Sequence, residues 1–169
     1  MKEVDVQGHK FTYEEMGEGK EDLVFIHGWS SSRFFWKPVL SEFMEFGKIT
    51  NLDLVGHYPG SSPKSFRNFG ADKVIEIQAE ALRKIFPEKK LTLIGHSTGG
   101  YVVLGIAARY PELVNRVIVI CPVVHGPVEG LLALMKLSYE WNLSPVVSFA
   151  LQSFMMSPNS MEILMNGSV

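Results

Sequence analysis

A strand-to-helix transition with a serine between glycines, at residues 91–112, constrains the fold of this chain more than any other segment. The sequence LTLIGHSTGGYVVLGIAARYPE begins as an apolar strand, passes through Gly-His-Ser-Thr-Gly-Gly, and continues with the character of a helix that ends before Pro111. Gly95 and Gly99 have no Cβ atoms, so the strand and the helix can approach each other closely around Ser97. The pattern predicts a tight strand–turn–helix unit with the serine at its apex.

Strands and helices alternate along the chain, which predicts an α/β fold with a mainly parallel sheet covered by helices on both faces. Buried strands are expected at DLVFIHG, ITNLDLVG and RVIVICPVV, and helices at WSSSRFFWKPVLSEFMEF and GADKVIEIQAEALRKIF. The amino-terminal EVDVQGHKFTYEEMGEG alternates around Gln7-Gly8, as an antiparallel hairpin does. The apolar face predicted for the second helix consists of Val74, Ile77, Ala81, Leu82 and Ile85.

Composition places the chain among globular proteins and narrows its partners. Of 169 residues, 46% are hydrophobic and the net charge is −2, so neither disorder nor nucleic-acid binding is expected. No window reaches the roughly 18 uninterrupted apolar residues of a membrane span, and no apolar run typical of a secretory signal follows the first charges, which makes a cytoplasmic location the expectation. The sequence gives no indication of a metal or an organic cofactor, and none is expected. Cys121, the one cysteine, is expected to be buried and unreactive.

The glycine–serine turn has the features of a nucleophile site for acyl transfer. A residue at such a turn adopts a backbone conformation that costs about 1–3 kcal/mol. The helix that follows directs its amino-terminal amides towards the serine, where the oxyanion of a tetrahedral intermediate would form. In a second motif, FIHGW, Gly28 ends an earlier strand and the Trp29 amide is a candidate oxyanion donor. An ordinary turn is the alternative interpretation of Gly28.

Together these motifs resemble the α/β-hydrolase superfamily, in particular its single-domain esterase-like members with HG-W and GHS-x-GG. The resemblance extends to NLDLVGH, which is similar to the family's D-x-x-G-H-G-x-S loop, although two residues after the histidine interrupt that pattern. It implies that Ser97 is the nucleophile of an acyl-enzyme mechanism on carboxylic esters or related acyl compounds, with the Trp29 and Thr98 amides as the oxyanion hole. The serine disfavours the dehalogenase and epoxide-hydrolase branches, which carry aspartate at this position.

The base that would activate the serine is harder to assign. A serine hydroxyl is a poor nucleophile at neutral pH without an adjacent base. In the family the acid and the histidine follow later strands, but here no histidine follows His125 and no aspartate follows Asp72. His125 is the leading candidate because it follows a strand at the carboxyl edge of the sheet. The alternatives are His27, which we expect to orient its loop, His57, His96 and His9, which we expect at the surface. Asp53 is expected to fix a loop.

The carboxyl-terminal segment differs in character from the rest. Five of the eight methionines fall within residues 126–169, which carry few charges. We expect residues 1–125 to form the α/β-hydrolase core and residues 126–169 to form an incomplete helical lid, which begins after the sixth strand. Such a lid would supply an apolar wall for a small apolar or acyl-containing substrate. Helices that pack into the core are the alternative.

The resemblance also implies that the family's last strands are missing, which leads to two further expectations. Activity of this form should be weak or absent, because a nucleophile without its base loses most of its catalysis. An open edge strand invites pairing with another chain, so a homo-oligomer or a domain-swapped dimer is expected. A non-catalytic binding or interaction fragment is the competing class. Lyase, thioesterase and perhydrolase chemistry stay open on the same scaffold.

Overall fold

The computed structural model describes residues 1–29, 31–57, 59–60 and 70–123. His125 and the predicted lid, residues 126–169, lie outside the described residues. The division into a core and a lid therefore stays a prediction.

A six-stranded sheet organises the described part of the chain. Its strands are β1 (Lys2–Val6), β2 (His9–Met16), β3 (Glu21–Ile26), β4 (Gly47–Leu52), β5 (Leu91–His96) and β6 (Val114–Ile120), in the spatial order β1-β2-β4-β3-β5-β6. The β1–β2 and β2–β4 pairs are antiparallel, and the other pairs are parallel. The predicted mainly parallel sheet is confirmed. The carboxyl ends of β3, β4 and β5 lie at one edge, where ligands bind in such sheets.

The amino-terminal hairpin is also confirmed. Gln7 and Gly8 have φ angles of 53° and 79°, as both central residues of a type I′ turn require. His9 pairs with Val6 directly after the turn. Contrary to the prediction, His9 is buried, because the alternation of β2 places it on the same face as Phe11, which lies in the core.

Helices cover both faces of this sheet, as predicted. A 3₁₀ helix (Arg33–Trp36) and α1 (Lys37–Phe43) lie on one face, so the single helix expected here is divided and begins after a cap at Ser32. The other face carries α2 (Ala71–Ile85) and α3 (Thr98–Arg109). The smaller core cluster comprises Leu23, Phe25, Trp36, Leu40, Ile49 and Ile94. The larger cluster contains Val24, Ile26, Leu82, Val103 and Ile106, among others.

β6 differs from the prediction. It was expected to be buried on both faces, but Ile118 and Ile120 are 46% and 42% exposed. Within the described residues β6 is the outer strand and pairs only with β5, which leaves its side chains less covered. Cys121 follows this strand and is exposed, contrary to the expected burial. Pairing of this chain with a second copy stays a prediction.

Candidate active site

Ser97 lies at the junction of β5 and α3 in a strained backbone conformation. Its φ of 54° and ψ of −119° fall in a region that residues with a side chain rarely adopt. Hydrogen bonds on both sides maintain this conformation: the Ser97 amide donates to the Ile120 carbonyl at 3.0 Å, and the Ser97 carbonyl accepts from the amides of Tyr101 at 3.1 Å and Val123 at 3.3 Å. The predicted strand–turn–helix unit is therefore present, with the serine at its apex.

Glycines allow this turn to pack against the end of β3. A Cβ atom on Gly95 would lie 2.5 Å from the Gly99 carbonyl oxygen, and one on Gly99 would lie 2.3 Å from the His27 carbonyl oxygen. A Cβ atom on Gly28 would lie 2.9 Å from the Ser97 Cβ. These distances are shorter than real side chains tolerate, so each position requires glycine. Gly28 therefore has a packing role as well as a role in the turn. The FIHGW motif and the glycine–serine turn lie in contact at this position.

The two predicted oxyanion donors occupy positions consistent with that role. Thr98 is the first residue of α3, where backbone amides have no carbonyl partner within the helix. Trp29 follows Gly28 directly and is half-buried. Their function as donors to an oxyanion stays a prediction.

His27 connects the Gly28 segment to the loop after β4. Its ring is fully buried, and its Nε2 accepts a hydrogen bond of 3.0 Å from the Leu54 amide. Since a backbone amide can only donate, Nε2 carries no proton, and the ring proton lies on Nδ1. Nδ1 then donates to the Gly28 carbonyl at 2.7 Å. Both ring nitrogens are engaged with the backbone, so His27 orients its loop and does not act as a base for Ser97.

Asp53 and Arg33 form a buried ion pair. Asp53 lies in the loop after β4, and Arg33 is the first residue of the 3₁₀ helix that follows the Gly28 motif in the chain. Asp53 Oδ1 accepts from the Arg33 amide at 2.9 Å, and Oδ2 accepts from Arg33 Nη1 at 2.6 Å and Thr12 Oγ1 at 2.5 Å. Burial raises the pKa of the Asp53 carboxyl, but the hydrogen bonds from the Thr12 hydroxyl and the Arg33 amide favour its ionised form and hold the pKa below its ordinary value. The expectation that Asp53 fixes a loop is confirmed.

Gln78 is a buried polar residue that the sequence analysis missed. It lies on α2, is fully buried, and accepts a hydrogen bond of 3.0 Å from the Val55 amide through Oε1. Its Nε2 donates to the Asp53 carbonyl at 3.4 Å. The available signal was its position: Gln78 directly follows Ile77 and lies three residues before Ala81 on the apolar face of the helix. A polar residue there needs a buried partner.

The remaining described histidines do not supply an evident base. Burial is the main cause that lowers the pKa of His57 to about 4, and its Nδ1 lies 3.1 Å from the Val55 carbonyl oxygen. His96 stacks on Phe35 with ring centroids 4.5 Å apart, and burial is the main cause that lowers its pKa. In residues 1–29, 31–57, 59–60 and 70–123, no histidine forms a hydrogen bond with the Ser97 hydroxyl. A base at His125 stays a prediction.

The described residues contain no group of three or more His, Cys, Asp or Glu side chains placed to hold a metal ion. Among the helices described, none is long and apolar enough to cross a membrane.

Comparison with known proteins identifies the family of this chain. A family model described as Alpha/beta hydrolase family matches residues 23–162. The chain belongs to the alpha/beta hydrolase family. A pimeloyl-acyl-carrier-protein methyl ester esterase from Hamiltonella defensa subsp. Acyrthosiphon pisum is 33% identical over 105 residues, which cover 62% of this chain and 38% of that protein. Epoxide hydrolase 4 from Homo sapiens is 33% identical over 114 residues, which cover 67% of this chain and 31% of that protein.

Solved structures show the same fold in other members. An epoxide hydrolase from Bacillus megaterium in complex with an inhibitor has a TM-score of 0.65 and 25% identity, and the match covers 72% of this chain and 42% of that one. The Cif epoxide hydrolase from Acinetobacter nosocomialis has a TM-score of 0.63 and 24% identity, with coverage of 70% and 36%. The chain thus spans less than half the length of these relatives.

Proposed function

We propose that this chain carries the nucleophile of a serine hydrolase that acts on carboxylic esters or related acyl compounds. The observation that carries the proposal is the strained backbone of Ser97, with φ of 54° and ψ of −119°, at the start of α3. Strain of this kind persists only where the surrounding structure enforces it, and it is concentrated at functional sites. The contact of this turn with Gly28 supports the same assignment.

The chemistry proceeds in two steps through an acyl-enzyme. Ser97 Oγ attacks the acyl carbon while a base takes its proton, and the Trp29 and Thr98 amides donate to the oxyanion that forms. Collapse of the intermediate breaks the bond to the alcohol oxygen, which receives the proton from the base. Water, deprotonated by the same base, then attacks the acyl carbon and releases the carboxylic acid and free Ser97.

The identity of the nucleophile favours acyl transfer over epoxide opening, although epoxide hydrolases are among the relatives. A carboxylate that opens an epoxide forms an ester, which water can cleave. A serine that opened one would form an ether, which is stable to hydrolysis under the same conditions. Ser97 is therefore suited to acyl compounds, a class that includes the methyl ester named for the esterase relative.

We propose His125 as the base. Both ring nitrogens of His27 are engaged with the backbone, at the Leu54 amide and the Gly28 carbonyl, and His57 Nδ1 contacts the Val55 carbonyl. We expect His125→Ala to lose ester hydrolysis but to keep its ability to bind the ester substrate. A His125→Ala variant that hydrolyses esters at the wild-type rate would assign the base elsewhere.

The test of the nucleophile uses covalent labelling. The full chain is incubated with an alkyl fluorophosphonate and, separately, with p-nitrophenyl acetate. Wild type is expected to gain one phosphonyl group on Ser97, located by peptide mass spectrometry, and to release p-nitrophenol slowly, in keeping with the weak activity expected of this form. Ser97→Ala should abolish both. Ser41→Ala, which changes an exposed serine on α1, is the matched control and should leave both intact. Labelling of Ser97→Ala at the wild-type level would refute the proposal.

A non-catalytic binding protein is the second candidate. The specific observation in its favour is that both ring nitrogens of the fully buried His27, the histidine next to Gly28, contact the backbone and cannot activate a serine. Stoichiometric binding of an acyl ligand without turnover, unchanged by Ser97→Ala, would support this candidate. Turnover that depends on Ser97 would exclude it.

A further inference from the structure

We propose that Gln78 is a positioning residue for the oxyanion site. It holds the loop Asp53–Val55 so that the Leu54 amide selects one tautomer of His27, and that tautomer orients the peptide between Gly28 and Trp29. The inference rests on the proposed function, in which the Trp29 amide is an oxyanion donor. Gln78 lies on α2 and acts through these intermediate groups.

The first step is the contact of Gln78 with the loop. Its side-chain amide forms one bond on each side of Leu54: Nε2 donates to the Asp53 carbonyl at 3.4 Å, and Oε1 accepts from the Val55 amide at 3.0 Å. Leu54 and Val55 are themselves buried. The position of the Leu54 amide is therefore set by a side chain that reaches it from a different layer of the fold.

The second step is the choice of tautomer. The Leu54 amide donates to His27 Nε2 at 3.0 Å, which excludes a proton on that nitrogen. Nδ1 must carry the ring proton and donate to the Gly28 carbonyl at 2.7 Å. If the Leu54 amide moved away, Nε2 could take a proton and donate to Asp53 Oδ1, which lies only 3.5 Å away. The Leu54 amide therefore decides between two available states of the ring.

The third step is the orientation of the oxyanion amide. A trans peptide is planar, and its carbonyl and amide bonds point in opposite directions. A hydrogen bond that fixes the Gly28 carbonyl therefore also fixes the direction of the Trp29 N–H. Gly28 lies against Ser97, since a Cβ atom on Gly28 would be 2.9 Å from the Ser97 Cβ. A rotation of this peptide would redirect the amide relative to the nucleophile.

Other contacts hold the loop at Asp53. The Asp53 amide donates to the Thr12 carbonyl at 3.1 Å, and its carboxylate binds Arg33. These contacts remain when Gln78 is replaced, so Asp53 should stay in place. Leu54 and Val55 would then keep only the contacts of their carbonyls with His57, at 3.1 Å each and within the same loop, so their amides should be freer to move. The effect of replacing Gln78 should therefore be concentrated at His27 and Trp29.

The test compares two variants of the full chain on the same helix. Gln78→Met removes both hydrogen bonds at similar volume, and Ile77→Val, at the buried neighbouring residue, is the matched control for a small packing loss. The ¹⁵N resonances of the His27 imidazole, assigned with His27→Gln, report the tautomer directly. We expect a single Nδ1–H form in wild type and in Ile77→Val, and loss of this single form in Gln78→Met.

A second measurement connects the tautomer to the oxyanion site. An alkyl boronic acid forms a tetrahedral adduct with a nucleophilic serine, and its affinity depends on correctly placed oxyanion donors. We expect Gln78→Met to weaken this affinity by roughly 10- to 100-fold, because small displacements of donors have effects of this size. Ile77→Val should stay within about twofold of wild type.

The possible results separate the two proposals. An Nε2–H form of His27 in wild type, or an unchanged Nδ1–H form in folded Gln78→Met, overturns the role of Gln78 whatever Ser97 does. A changed tautomer with unchanged boronate affinity also overturns it. If wild type forms no boronate adduct, the proposed function fails, and the imidazole resonances alone decide whether Gln78 sets the tautomer. The wild-type spectrum keeps the proposal falsifiable if Gln78→Met does not fold.

Discussion

The serine turn and the segment from Gly28 to Arg33 lie side by side, but different interactions hold them in place. Ser97 is held by backbone hydrogen bonds and by glycines that allow backbone atoms to touch. The neighbouring segment is held at both ends by buried side chains, His27 at one and the Arg33–Asp53 pair at the other. One half of the candidate site depends on shape, and the other depends on paired polar groups.

The difference has a general consequence for how each half responds to change. A closely packed turn is destabilised when a side-chain atom is added, because the neighbouring backbone atoms cannot move aside. A buried polar network is destabilised when one partner is removed, because the group left behind loses a hydrogen-bond or ion-pair partner and gains no solvent in its place. Mutations that add one atom or delete one partner can therefore distinguish the two regions.

The largest effect is expected from Asp53→Ala. This change leaves the Arg33 guanidinium buried without its closest partner, 2.6 Å away, so the free energy of unfolding should fall by about 3–5 kcal/mol in urea denaturation. Asp72→Ala removes the partner of Arg109 from an exposed pair and is the matched control, for which little change in stability is expected because solvent screens exposed charges. A loss below about 1 kcal/mol for Asp53→Ala would show that the segment does not depend on this pair.

A similar but smaller loss is expected from Gly99→Ala. The added Cβ atom would lie 2.3 Å from the His27 carbonyl oxygen and 2.4 Å from the Ile26 carbonyl oxygen, both backbone atoms. We expect a destabilisation of about 3 kcal/mol, measured by the same denaturation experiment. Gly70→Ala is the control, because a Cβ atom on Gly70 would meet nothing within 4 Å. Equal stabilities of the two variants would contradict the role of close packing at the turn.

The same contrast explains how much the sequence could predict. The turn was predictable because Gly95, Ser97 and Gly99 are neighbours, and their spacing alone indicates a strand packed on a helix. The polar network was not, because its members are distant in sequence. Thr12 and Asp53 are 41 residues apart, and Val55 and Gln78 are 23 apart. Hydrophobic periodicity marks the buried face of α2 but cannot say which loop a buried glutamine will contact.

The outer parts of the fold were predicted less well for a related reason. Burial of a strand depends on which elements lie beside it, so the apolar run of β6 predicted burial that Ile118 and Ile120 do not show. His9 was assigned to the surface because it follows a turn, yet strand alternation directs it into the core. In both cases the local pattern predicts the element, while the tertiary neighbours determine the environment.

The free energy of unfolding should also depend on pH, through His57 in the polar region. Burial is the main cause that lowers the pKa of His57 from 6.5 to about 4, so between these values the unfolded chain binds a proton that the folded chain does not. The free energy of unfolding should therefore fall as pH drops from 6.5 to 4, by about 1–2 kcal/mol once the partial exposure of His57 is allowed for. Denaturation of wild type and His57→Gln at pH 7 and pH 5 tests this. Parallel losses in both proteins would exclude His57 as the cause.

The smallest expected effect concerns the strain at the nucleophile itself, and its sign is opposite to the others. Glycine adopts the backbone conformation of Ser97 without the steric penalty that a side chain incurs, although it also adds freedom to the unfolded chain. Ser97→Gly should therefore raise the free energy of unfolding by about 1 kcal/mol while removing the hydroxyl. Ser41→Gly on α1, where φ is helical, should instead lower it by about 0.5–1 kcal/mol. A lower free energy of unfolding in Ser97→Gly would contradict the proposed backbone strain at Ser97. The close packing at the turn would then stabilise the start of α3 and would not enforce a strained serine.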